Sequence, residues 1–98
     1  MTASVGMEVQ TFTIQNRLGL HARAAALLVK TANQFVSEII LEKDGLEVNG
    51  KSIMGLLVLA ANEGSMIEIE VSGPDADRAM NELEYFLMHD PENGEVKG

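Results

Sequence analysis

The chain has 98 residues and a net charge of −8, with fifteen acidic against seven basic side chains. That is the size of one domain and the wrong sign for a general nucleic-acid binder. The absence of cysteine excludes disulfides, thiol nucleophiles and Cys-based metal centres, and it fits a reducing, cytoplasmic setting.

The start, Met1 to Val5, has no basic segment leading into an apolar one, so no secretory leader is expected. Residues 9–14 alternate apolar and polar and predict a half-buried strand. Asn16 to Gly19 reads as a loop. A helix follows from about residue 22, with Ala25, Leu28, Val29, Ala32 and Phe35 on one apolar face. Residues 37–43 alternate again, with Ile39 and Leu41 set against Glu38, Ile40 and Glu42. Asp44-Gly45 is a hairpin turn signal, and Leu46 to Val48 is the returning strand, ended by Asn49-Gly50. Ser52 is placed to cap a short helix from Ile53 to about Ala60. The apolar run that it opens, Ile53 to Ala61 around Gly55, is too short to span a bilayer.

After a turn at residues 62–65, Met66 to Val71 predicts a fourth strand, with Met66, Ile67, Ile69 and Val71 grouped against Glu68 and Glu70. Ser72 to Asp75 punctuates the chain and caps a last helix. Its apolar face is Ala76, Ala79, Met80, Leu83, Phe86 and Leu87, and Pro91 stops it. The order βαββαβα, with two-sided strands, predicts an α+β open-faced sandwich: a four-stranded antiparallel sheet with one wet face and helices on the other. The domain is expected over residues 9–90, with an N-terminal extension at 1–8 and a polar tail at 91–98.

Charge is unevenly spread. Residues 1–51 balance, and residues 52–98 carry the whole excess, so most basic side chains share a half with His21. His21 and Arg23 fall at the first turn of the first helix. Unpaired backbone N–H groups and the positive end of the helix dipole favour an anion there. A neutral imidazole attacks phosphorus well, and a guanidinium fork suits phosphate oxygens. These residues alone leave open the plainer reading, in which His21 is an exposed N-cap and Arg23 a solvated side chain.

On the short helix, Ile53, Met54 and Leu57 fall on one side, and Leu56, Leu59 and Ala60 on the other. One side packs on the sheet. The other is either an exposed docking face or part of the core. His89, near the end of the last helix, fits a stabilising position at the helix C-terminus. Glu68 and Glu70 read as solubilising. No metal-ligand spacing and no Gly-rich phosphate loop is present, so neither metal nor cofactor is expected.

Gly19-Leu20-His21-Ala22-Arg23 and the later stretch Val48-Asn49-Gly50-Lys51-Ser52-Ile53-Met54-Gly55-Leu56 together resemble HPr, the histidine-containing phosphocarrier of the bacterial phosphoenolpyruvate-dependent phosphotransferase system. The resemblance runs from about residue 9 to 88 and implies the HPr-like βαββαβα fold. It further implies that His21 takes a phosphoryl group on Nδ1 from phospho-Enzyme I and passes it to EIIA domains, with Arg23 meeting the group. Ser52 matches the serine modified by HPr kinase/phosphorylase. Ile53, Met54 and Leu57 match the docking patch, and Ala26, Lys30 and Lys51 are placed with them as partner contacts.

Such a chain is a carrier rather than an enzyme. It is expected to be a cytoplasmic monomer, without nucleic acid and without membrane insertion. Ala24 stands where the family usually has proline, which leaves the helix start less rigid in advance. A nitrogen-type or binding-only regulatory paralogue is the alternative. An acyl carrier is disfavoured by the strand pattern and by the lack of an Asp-Ser-Leu helix start.

Overall fold

A computed structural model describes residues 6–15, 21–59 and 61–88. The expected loop at 16–19, Ala60, His89 and the tail from 91 lie outside the described residues. The elements run β1 (Gly6–Thr13), α1 (Ala22–Ala32), β2 (Glu38–Lys43), β3 (Leu46–Asn49), α2 (Ile53–Leu59), β4 (Met66–Gly73) and α3 (Ala76–Met88). The four strands form one antiparallel sheet in the order β1-β4-β2-β3.

Pairing register sorts the side chains. Phe12 lies opposite Ile67, Ile39 opposite Val71, and Leu41 opposite both Ile69 and Val48. These residues share one face, and all but the partly buried Val48 are buried. The helices cover that face. α3 lies over β1 and β4, α2 over β2 and β3, and α1 packs against both other helices. Leu28 and Ala32 of α1, Leu56 and Leu59 of α2, and Met80 and Leu83 of α3 complete the core.

Two glycines have positional reasons. Asp44 and Gly45 both have positive φ (53° and 85°) in the two-residue loop between β2 and β3. That is the hairpin turn whose twist matches the strands, and it favours Asp-Gly. Gly50 is buried where the chain leaves β3, and its N–H donates to the Ile39 carbonyl at 2.7 Å. A Cβ there would lie 2.6 Å from Ile39 Cγ2.

Several expectations need correction. β1 begins at Gly6 rather than residue 9, because Gly6, Met7 and Glu8 pair with Gly73, Ser72 and Val71. Val9 is exposed, since its register partner is Glu70 on the outer face. Met66 shares the outer face with Glu68 and Glu70 and is 63% exposed, so it does not belong with Ile67. On α1, Ala24 joins the core, while Val29 is only partly buried against it. Phe86 is likewise only partly buried against the core. β2 starts at Glu38, because Ser37 is diverted into a contact with Asp75.

That contact ties the start of α3 to the approach to β2. The Asp75 carbonyl accepts from the Ala79 N–H at 2.9 Å, opening the helix. Its carboxylate accepts from the Val36 and Ser37 N–H groups, each at 3.0 Å, and from the Ser37 hydroxyl. The hydroxyl bond, with the two amides assisting, holds the Asp75 carboxyl below the usual carboxylate range.

The outer sheet face is acidic. Glu47, Glu42 and Glu68 lie directly opposite one another across β3, β2 and β4. Sharing a hydrogen bond with Glu42, helped by partial desolvation and the charges of Glu42, Glu70 and Glu47, pushes the Glu68 carboxyl above its ordinary value.

Candidate phosphoryl-acceptor site

His21 is the N-cap of α1. Its backbone is extended (φ −81°, ψ −177°), and its carbonyl accepts the first helical bond from the Ala25 N–H at 2.7 Å. Its Nδ1 accepts from the Arg23 N–H at 3.3 Å. An acceptor nitrogen presents its lone pair, and Nδ1 here faces the amides of the first helical turn. The ring is half-buried, with Nε2 inside the protein, rather than fully open to solvent. Burial of one edge fixes the ring and leaves Nδ1 as the nitrogen directed at the helix start.

The first turn of α1 holds no acidic residue, so nothing in it opposes an incoming anion. Arg23 is exposed two residues on. Ala24 has no exposed surface and anchors this turn to the core. The same helix presents Ala26, Leu27 and Lys30 to solvent.

Ser52 caps α2. Its Oγ accepts from the Gly55 N–H at 3.0 Å, and its carbonyl accepts from the Leu56 N–H at 3.0 Å. Leu56 and Leu59 are buried, whereas Ile53, Met54 and Leu57 are exposed, Met54 to 70%. The apolar side left open by the sequence is therefore a solvent-facing surface. Lys51 is half-buried, and its Nζ donates to the Phe35 carbonyl at 2.7 Å, which binds the lead-in of α2 to the end of α1.

Sequence reasoning missed Val58, which is 61% exposed, and Leu27 on the neighbouring helix. Val58 was recoverable: it lies four residues after Met54, on the same side of a helix. Among the described residues, no group of three His, Cys, Asp or Glu side chains could hold a metal, and no helix is long and apolar enough to cross a membrane.

Comparison with known proteins adds independent evidence. A family model described as the PTS HPr component phosphorylation site matches residues 9–89. Phosphocarrier protein HPr of Treponema pallidum (strain Nichols) is 47% identical over 83 residues, covering 85% of this chain and 94% of that protein. HPr-like protein Crh of Bacillus subtilis (strain 168) is 40% identical over 84 residues, covering 86% and 99% respectively. The crystal structure of phosphocarrier protein HPr from Bacillus anthracis superposes with a TM-score of 0.81 at 44% identity, covering 84% of this chain and 98% of that one.

Proposed function

The chain belongs to the HPr family, phosphocarriers of the phosphotransferase system rather than catalysts, and from that premise we propose that His21 accepts a phosphoryl group from phospho-Enzyme I and hands it to EIIA domains. The observation that carries the reading is Nδ1 of His21 held at the start of α1, where it accepts from the Arg23 amide. The nitrogen lone pair attacks phosphorus, and the phosphorus–nitrogen bond forms as the bond to the donor breaks. The Arg23 N–H then turns from the ring nitrogen to a phosphoryl oxygen. The helix dipole and the Arg23 guanidinium stabilise the added negative charge. A phosphorus–nitrogen bond is labile, so the group leaves again when an acceptor docks. The partners supply most of the catalysis.

The exposed side of α2, formed by Ile53, Met54, Leu57 and Val58, is the docking surface, with Ala26, Leu27 and Lys30 of α1 contributing. Lys51 acts through its hold on Phe35, which sets the lead-in of α2, more than by direct contact. Ser52 is the regulatory phosphorylation site for an HPr kinase/phosphorylase. A phosphate there sits at a helix N-terminus beside the docking residues, where added charge hinders the approach of Enzyme I. The carrier works as a cytoplasmic monomer.

Incubation with Enzyme I and phosphoenolpyruvate should place an acid-labile phosphate on His21. Equal labelling of His21→Ala would overturn the reading. A regulatory paralogue acting by binding alone is the second reading, favoured by the similarity to an HPr-like protein. In that case neither His21 nor Arg23 would affect the activity measured.

A further inference from the structure

Six methionines are present in 98 residues, and the surroundings of the five among the described residues differ sharply. Met80 is buried in the core, at 1% exposure. Met7 and Met66 lie on the outer face of the sheet, and Met88 at the end of α3. Met54 is the most exposed of those in the described residues. It lies between the exposed apolar side chains Ile53 and Leu57, on the surface proposed above for docking, two residues after the Ser52 cap. A thioether there is both accessible to a small oxidant and central to any contact made by this side of α2.

We infer that Met54 is a redox modification site, oxidised by hydroperoxides to the sulfoxide, and that oxidation weakens docking on α2. The inference rests on the carrier reading above and adds a regulatory input to its docking surface. In the reaction the thioether sulfur attacks one peroxide oxygen. A sulfur–oxygen bond forms as the oxygen–oxygen bond breaks, sulfur gives up two electrons, and the second oxygen leaves, taking up a proton, as water or an alcohol. The product replaces a flexible apolar group by a polar, chiral one. A partner that buries Met54 must then desolvate the sulfoxide oxygen without a matching donor. The fold itself is spared, because Met54 contributes nothing to the core. Sulfoxides are returned to thioethers by dedicated reductases, so the change is reversible.

The test uses the full chain treated with hydrogen peroxide. Peptide mass mapping should find the added oxygen at Met54 before Met80, with the far-ultraviolet circular dichroism spectrum unchanged. Phosphoryl transfer from Enzyme I charged with phosphoenolpyruvate is then measured against carrier concentration. Oxidised wild type should show a KM raised about fivefold or more, the loss of one well-packed interface side chain, with kcat little altered. Met54→Leu should keep its KM after the same treatment, and Met54→Gln should show the raised KM without oxidant.

Oxidised wild type with an unchanged KM, or Met54→Leu losing affinity on oxidation as wild type does, overturns this inference while leaving the carrier reading intact. Untreated wild type that takes no phosphate from Enzyme I overturns both.

Discussion

Replacing Ser52 separates what its hydroxyl does for folding from what the proposed phosphorylation at the same position would do to docking. α2 has only seven residues, too few to hold a helix without help from its ends and its packing. The Ser52 Oγ satisfies the otherwise unpaired Gly55 N–H at 3.0 Å. Loss of such a cap to alanine costs about 1 kcal/mol, within a range of ~0.5–2. For a domain of this size each kcal/mol lowers the melting temperature by roughly 4–8 °C, so Ser52→Ala should melt several degrees below wild type. Ser52→Asp keeps an acceptor at the same place and adds a charge the helix dipole favours, so it should melt close to wild type. Ser52→Gly should fall only slightly.

Thermal unfolding followed by circular dichroism at matched protein concentration reads all three. In transfer from Enzyme I the order inverts: Ser52→Asp should be slow and Ser52→Ala fast, because charge affects docking and the cap affects folding. An alanine variant within about 1 °C of wild type would show that the hydroxyl contributes no capping energy. An aspartate variant that falls as far as alanine would refute the argument that any acceptor at this position suffices.

Other substitutions test the frame around the site. Gly50→Ala drives a Cβ to 2.6 Å from Ile39 Cγ2 and should destabilise by about 1–3 kcal/mol; an unchanged urea midpoint would contradict the close approach. Glu68→Gln should raise the neutral-pH melting temperature. The Glu68 carboxyl is pushed up on folding, so wild type loses stability as pH rises from the unfolded value near ~4.3 through the higher folded one. The advantage of the variant should shrink on acidification below that window, and a pH-independent advantage would reject the carboxyl pairing. Asp75→Asn should melt lower at neutral pH. Its carboxyl is held down on folding by the Ser37 hydroxyl and two amides, so wild type has this contribution above about pH 3.9 and loses it as pH falls through the folded value. Variant and wild type should converge in acid, and parallel curves down to the lowest pH would remove Asp75 from that role.

Much of this was visible in the sequence wherever one residue type had one local job. Asp44-Gly45 announced its hairpin because few other pairs tolerate two positive φ angles in succession. His21 and Ser52 announced helix starts because both side chains can accept from first-turn amides. On α2, helical spacing separated Ile53, Met54 and Leu57, later found exposed, from Leu56 and Leu59, later found buried, and left Val58 unassigned. What stayed hidden depends on distant partners. Nothing local marks Gly6 to Glu8 as strand; β4 recruits them. Met66 looks like core until register assigns it to the acidic face. Ser37 and Asp75 lie 38 residues apart, and no periodicity links them. The half-burial of the His21 ring likewise follows from tertiary packing.

The strand order carries a consequence for synthesis. β4 lies between β1 and the β2–β3 hairpin, so it is the keystone of the sheet and the last strand translated. Until it leaves the ribosome, β1 has no neighbour to pair with, and the hairpin has an open flank. Nascent chains halted before Met66 should therefore expose both unpaired borders and invite chaperones, whereas those halted beyond Gly73 can zip the sheet from both sides at once.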